Sequence, residues 1–423
     1  MMKPSEKQIV SPVSPQFGAW KKVKLEEVAE SIQTGPFGSQ LHQSDYSIEG
    51  TPVIMPKDII EGKVSTETIA RVEELHVTRL ARHKVKEGEI VYSRRGDVGK
   101  CAYITKKQEG WLCGTGCLKV TINKNEASPK FIFYQLQKKS VIGWIEKHAK
   151  GATMANLNTS ILSDVPLELP SISIQDSIAT TLSRYDKLIA NYQRQIKLLE
   201  EAAQRLYKEW FVDLHFPGHE NVKVIDGVPE GWEKKKIKEI GDVITGKTPK
   251  TSNPNYYGGK IPFITIPDMH KSVFPTSSTY LTTEGADSQK GKYIPANSIL
   301  VSCIGTAGIT CISKECCQTN QQINSIVLFD QEQVYYVYLC MSRLKEYLNN
   351  IGSNGATMTN VNKKKFEEIE LLVPDTKVNG SFYTSCKTLF GQILNLSRQL
   401  TLLTESRDRL LPKLMSGEIE LKI

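Results

Sequence analysis

The sequence predicts an α+β protein built from two tandem copies of one globular unit, each followed by a long helix that pairs antiparallel with the other. Three observations lead there. The phrase Gly151-Ala152-Thr153-Met154-Ala155-Asn156-Leu157-Asn158 returns as Gly355-Ala356-Thr357-Met358-Thr359-Asn360-Val361-Asn362, identical at six of eight positions and 204 residues later. Short β-branched and aromatic runs broken by Gly and Pro precede each phrase, a strand-rich pattern with little helix. Beyond each phrase the apolar residues settle into a sustained 4,3 alternation, which is the seam of a coiled coil.

In chain order, residues 1–16 are rich in Ser and Pro and read as a loose arm. The first unit follows over 17–171, then a helix over 172–215, the second unit over 216–375, a second helix over 376–418 and a short tail over 419–423. Upstream of the repeated phrases the copies still match. Thr51-Pro52-Val53-Ile54 through Asp58 faces Ile261-Pro262-Phe263-Ile264 through Asp268, and Ile90-Val91-Tyr92-Ser93 with Gly96 and Gly99 faces Ile299-Leu300-Val301-Ser302 with Gly305 and Gly308. Between these tracts, Lys63 to Arg82 and His270 to Lys290 share almost nothing. A duplicated scaffold with diverged loops points to one mode of action on two targets. Each unit is expected to hold one helix, Lys130 to His148 in the first and Gln333 to Asn350 in the second.

The first seam runs through Leu182, Tyr185, Ile189, Tyr192, Ile196, Leu199, Leu206 and Trp210, the second through Leu389, Ile393, Leu396, Leu400, Leu403, Leu410 and Leu414, with Arg407 as its one interruption. Neither helix can bury such a stripe alone, and their matching lengths favour pairing within the chain. Parallel pairing would need the linker after Phe211 to run back along the rod. A helix of about 37 residues is roughly 55 Å long, so that return is hard to span. Antiparallel pairing needs none, and relates the copies by a pseudo-twofold axis like that of a duplex read by a dimer.

The chain has 423 residues and a formal charge of +8, which favours a polyanionic partner. It has no run of 18 apolar residues and no signal peptide, so a soluble, cytoplasmic protein without a membrane partner is expected. Nine cysteines, with Cys316 and Cys317 adjacent and no spaced CxxC pair, disfavour a disulfide framework and a structural zinc.

Several tracts then point to one family. They are Thr245-Gly246-Lys247-Thr248-Pro249, Asn253 to Pro262, Leu206-Tyr207-Lys208-Glu209-Trp210-Phe211, both repeated phrases, and Arg409 to Ile419. By these tracts, their order along the sequence and their double occurrence, the chain resembles the specificity subunits of type I restriction-modification systems of prokaryotes. The resemblance covers nearly the whole sequence. It implies two tandem-repeated target recognition domains, each reading one half of a split site in double-stranded DNA, with the antiparallel helices as a ruler between them. It also implies a non-catalytic chain whose partners are two adenine-N6 methyltransferase subunits and two restriction subunits that translocate and cut DNA. S-adenosylmethionine, ATP and Mg would belong to those partners, leaving no cofactor and no metal here. The first copy departs from the pattern, with Gly35-Pro36-Phe37-Gly38 where the second has Gly246-Lys247-Thr248-Pro249.

The candidate DNA contacts are Thr34, Gly35, Lys57, Ser93, Arg94, Arg95 and Lys100 in the first unit, and Lys247, Thr248, Lys250, Thr251, Ser302 and Thr306 in the second. Arg94 and Arg95 stand out, because paired arginines at a strand-to-turn junction can grip guanine O6 and N7 or phosphates. The second copy has Cys303 and Ile304 there, so the two units should read different bases.

Other motifs favour different readings. Gly241 to Thr248 satisfies the GxxxxGK[ST] pattern of NTPases, which would make the chain a nucleotide-binding protein, but that chemistry needs a helix to open at the Lys-Thr pair. Pro249 and Pro254 follow instead. A coiled-coil scaffold without DNA binding is the other alternative. Asn253-Pro254-Asn255-Tyr256 resembles a methyltransferase motif but reads as a turn, His215 and His219 lack helical spacing, and Cys113 with Cys117 lacks neighbouring ligands. Asp58 and Asp268 divide evenly between contact and capping. The repeated phrases read as scaffold, with Thr153, Asn156 and Asn158 tying the last strand to its domain.

Overall fold

The computed structural model describes residues 20–149, 156–353, 359–419 and 421. The amino-terminal arm, Gly151 to Ala155 (including Thr153), and Gly355 to Met358 lie outside the described residues. The chain divides into two compact units, Met1–Leu188 with Leu403–Ile423, and Ile189–Leu402. Each long helix contributes to both, since the first runs over Ile172–Phe211 and the second over Thr376–Met415.

In the first unit an antiparallel sheet takes the order Ala29–Thr34, Cys117–Ile122, Ile90–Ser93, Cys101–Tyr103. Its two inner strands, Cys117–Ile122 and Ile90–Ser93, are buried on both faces, which is why Ile90 to Ser93 shows no alternation of burial. A second sheet sets Thr51–Ile54 between Leu112–Cys113, in parallel, and the antiparallel Ala70–Val72. Lys21–Lys24 pairs with Pro166–Leu169, closing the unit through its first and last strands. Leu157, at the end of the first repeated phrase, is fully buried, and Asn158 caps the helix Thr159–Ser163 by accepting from the Ile161 N–H at 2.8 Å.

The second unit repeats this plan. Its main sheet runs Gly241–Thr245, Ile323–Leu328, Ile299–Ser302, Thr310–Ile312, and Glu233–Lys236 pairs with Glu370–Val373. Asn362 caps Lys363–Glu367 as Asn158 caps its own helix, accepting from the Lys365 N–H at 3.0 Å. A side-chain cap of this kind contributes about 1 kcal/mol. The diverged stretches differ as structure too: the first unit has a helix at Glu74–Arg79 and a fourth strand at Tyr46–Ser47, while the second has a helix at Thr283–Asp287 and three strands.

The single helix expected in each unit is two. Pro129–Leu136 ends before Lys139–His148, with Lys138 extended between them, and Val334–Arg343 ends before Lys345–Gly352. The break lets the second helix lie on a glycine turn. A Cβ on Gly99 would stand 2.7 Å from Ile142, and one on Gly308 would stand 2.7 Å from the Lys345 Cα.

In each unit the beginning of one long helix meets the end of the other. In the first unit Asp186 pairs with Arg407 at 3.1 Å, so the polar interruption of the second seam has a partner. In the second unit Phe382 packs on Tyr207, Trp210 and Phe211. All the seam residues named above are buried or half-buried. The helices also bury side chains off the seam. Phe211 packs on Trp232 and Tyr336, and Phe390 stacks on Tyr335 at 4.5 Å. The strict 4,3 stripe missed these because a helix that faces a domain as well as a partner helix needs a wider apolar arc. Among the described residues no helix is long and apolar enough to cross a membrane.

Candidate nucleic-acid interface

In the first unit three loops meet at one end of the main sheet's strands. Gly35 continues the strand Ala29–Thr34 and donates its N–H to the Cys117 carbonyl at 2.9 Å, while Arg94 donates its own to the Gly116 carbonyl at 2.8 Å. Gly114 to Gly116 therefore lies between the Gly35 loop and the Arg94 turn. Only glycine fits at 35, since a Cβ there would stand 2.1 Å from the Gly114 oxygen. The Arg94 carbonyl accepts from the Leu157 N–H at 2.9 Å. This ties the tail of the repeated phrase to the turn.

The second unit is built from the same bonds. Gly246 donates to the Ile323 carbonyl, Cys303 to the Gln322 carbonyl and Val361 to the Cys303 carbonyl. A Cβ on Gly246 would stand 2.2 Å from the Asn320 oxygen. Arg94 thus corresponds to Cys303, Arg95 to Ile304, and Gly114-Thr115-Gly116 to Asn320-Gln321-Gln322.

The anticipated contacts separate on this frame. Arg95 is exposed, and Arg94 is half-buried with an Nε that is enclosed and has no hydrogen-bond partner among the described residues. A group left so costs about 1 to 3 kcal/mol. Lys247, Lys250 and Thr251 are exposed, as is Thr306. Lys247 has no ion-pair partner among the described residues, whereas Lys100 lies 2.6 Å from Asp97 and Lys57 donates to the Thr68 carbonyl. Thr248 donates to Gln321 Oε1 at 2.8 Å. Thr34 is half-buried at its strand end and Gly35 is buried.

Ser93 and Ser302, expected to face DNA, point inward instead. They are 1% and 0% exposed, and their hydroxyls donate to the Arg95 and Thr306 carbonyls, locking the two turns. Asp58 and Asp268 are likewise caps: each is buried and accepts a backbone N–H, from Met55 and Thr265 respectively. Burial raises the Asp58 carboxyl above its ordinary range. Arg95 and Ile304 bridge Asn156 and Asn360 through backbone pairing, so these asparagines serve the scaffold.

The residues around Lys247 do not form a phosphate loop. The strand Gly241–Thr245 passes into extended chain, and the next helical turn is the short Pro254–Tyr256. Asn253 accepts from the Asn255 N–H at 3.1 Å, an ordinary turn closure. His215 faces Glu209, and among the described residues no cluster of His, Cys, Asp or Glu could hold a metal ion. Cys113 and Cys117 are buried, and burial pushes the Cys113 thiol up to about 12. A cavity of about 510 Å³ in the first unit is lined by Tyr134, Lys138, Asp186, Arg407 and Asp408. Its guanidinium is spent on the two carboxylates.

Sequence reasoning missed the Asn320-Gln321-Gln322 turn. Its only signal was a polar run, Thr319 to Gln322, ahead of an apolar strand. What makes it part of the site is its place between two loops far away in sequence.

The family model described as the type I restriction modification DNA specificity domain matches residues 18–201 and again 229–394. The chain belongs to that family. Among specificity subunits it is 29% identical to the type I restriction enzyme HindI specificity subunit of Haemophilus influenzae, covering 95% of this chain and 99% of that one. It is 26% identical to the MjaIX specificity subunit of Methanocaldococcus jannaschii, over 95% and 94% of the two chains. The fold is that of a crystal structure of the type I system S subunit from M. genitalium, with a TM-score of 0.63, 16% identity and coverage of 97% and 99%. The repeated match of the specificity-domain model coincides with the internal repeat, so each copy is one DNA specificity domain.

Proposed function

We propose that this specificity subunit reads a bipartite, asymmetric DNA site, one half with each unit, and directs methyltransferase and restriction subunits to it. One observation carries the reading. The same backbone-bonded turn presents Arg94-Arg95 in one unit and Cys303-Ile304 in the other, so the scaffold is shared and the reading surface is not. Arg95, Arg94 and the exposed Lys247, Lys250 and Thr251 are the contacts to DNA, with Lys247 placed for phosphate. The chain does no chemistry itself: S-adenosylmethionine, ATP and Mg act on the partner subunits.

Long-read mapping of adenine methylation in the host, with and without the gene, tests this. The expected result is one methylated motif of two specified blocks around an unread spacer, lost in the deletion. An unchanged methylation map would overturn the proposal. The paired helices set the spacer. Adding one heptad to both preserves each seam and lengthens each helix by about 10 Å. The spacer should then grow by about three base pairs at about 3.4 Å each.

A further inference from the structure

Gln321 sits at the centre of the second unit's three loops and has one job visible in the chain, which leaves most of its amide unused. Its Oε1 accepts a hydrogen bond from the Thr248 hydroxyl at 2.8 Å, and its Nε2 has no partner among the described residues. The residue is exposed. Its neighbours are committed elsewhere. Asn320 donates to the Gln322 Oε1 at 3.0 Å and accepts from the Gln322 N–H at 3.1 Å, and the Gln322 carbonyl accepts from Cys303. Gly246 lets the Lys247-Thr248 loop close directly on this turn, with Lys247 donating its N–H to the Thr319 carbonyl at 2.9 Å.

We infer that Gln321 is the specificity-determining residue of the second unit and that it reads an adenine in the major groove. A carboxamide recognises adenine by accepting from N6–H and donating to N7. An amide oxygen has two lone pairs. With Thr248 on one, the second lone pair and both Nε2 hydrogens of Gln321 remain for the base. Thr248 acts as a positioning residue, holding the amide plane before DNA arrives. Lys247, on the same loop, supplies a cation for the adjoining phosphate. The first unit has no equivalent, because its counterpart of Gln321 is Thr115, too short to span a base edge and with its hydroxyl oxygen enclosed.

This inference rests on the DNA-reading role proposed above, and the test separates the two. The full-length chain, purified from its host with its bound partners, is incubated with a randomised duplex library and the retained DNA is sequenced. Wild type should enrich a bipartite motif. Gln321→Ala and Gln321→Glu should each flatten preference at a single A·T position in one block, by roughly tenfold to a hundredfold, and leave the other block unchanged. Thr248→Val should weaken the same position by less. If wild type enriches a bipartite motif and both Gln321 variants enrich it unaltered, the assignment of Gln321 is wrong while DNA reading stands. If wild type enriches nothing, both proposals fall.

Discussion

The turn from Ser93 to Lys100 and its counterpart from Ser302 to Ile309 are tied in place by matching backbone hydrogen bonds, Ser93 to Lys100 and Arg94 to Gly116 and Leu157 in one, Ser302 to Ile309 and Cys303 to Gln322 and Val361 in the other, yet one carries two arginines where the other carries cysteine and isoleucine. A second contrast lies behind them in the same sheets. Glu89 and Lys119 form a buried ion pair at 3.4 Å in the first unit, with Lys119 also donating to the Lys84 carbonyl at 2.9 Å. The second unit places Ser298 and Ser325 at these positions, both buried. Backbone bonding is shared between the copies, while charge in one is matched by apolar side chains in the turn and by small polar ones inside the sheet of the other. The comparison teaches that the fold is held by main-chain pairing and glycine contacts, which leaves side chains free to differ.

The largest test of that separation is the buried pair. Lys119→Met should destabilise the first unit by about 3 to 5 kcal/mol, because Glu89 is left as an uncompensated buried charge. Adding Glu89→Gln should recover more than half of the loss. Hydrogen-exchange mass spectrometry resolved by unit reads this directly, and protection of the second unit should not change. Equal loosening of both units would contradict the independence drawn here.

Next come the shared glycines. Gly246→Ala drives a methyl onto the Asn320 and Thr319 oxygens at 2.2 and 2.3 Å, and should cost the second unit about 3 kcal/mol along with recognition of its half-site. Gly38→Ala is the control, since nothing lies within 4 Å of its Cβ. It should be neutral in the same exchange measurement.

The reading surface itself should give smaller effects. Arg95→Ala is expected to relax one block only, by about 1 to 3 kcal/mol, measured by competition binding with variant duplexes. Lys247→Ala should weaken binding without changing base preference and lower the salt slope by about one. An equal relaxation of both blocks by Arg95→Ala would break the division between the units.

The smallest expected effect is a pH response confined to the first unit. His83 is buried, and desolvation first, then Arg82 and Lys119, hold its pKa below the ordinary value. The folded state therefore prefers neutral His83, whose Nε2 accepts from Arg82 at 3.0 Å. Its contribution is complete above the unfolded value of about 6.5 and is lost as pH falls from there towards the lowered folded pKa. His83→Gln should flatten this response in unit-resolved exchange between neutral and mildly acidic pH.

Much of this architecture was legible in the residues. The repeat exposed itself because scaffold positions such as Leu157 and Val361, or Asn158 and Asn362, do the same buried or capping work in both copies. The long helices were legible because a stripe of period 3.5 needs a partner helix to bury it. Ser93 and Ser302 were misread for a definable reason: a serine at a strand end can face solvent or bond the turn beyond it, and sequence does not state which. The helix breaks at Lys138 and Leu344 were hidden for a similar reason, since no proline or glycine marks them.

By itself the sequence determined the duplication, the pairing of the two helices and the arginine pair that distinguishes the first unit, which follow from local periodicity or from direct comparison of the copies, while the family came from the resemblance of its tracts to known specificity subunits. Tertiary structure alone decided which side chains share a site. Gln321 meets Thr248 across 73 positions of chain, and Lys119 meets Glu89, which stands just ahead of the neighbouring strand Ile90–Ser93. Such meetings are set by strand register and by how closely two loops can approach, and register is a property of paired backbones that no single stretch of sequence contains.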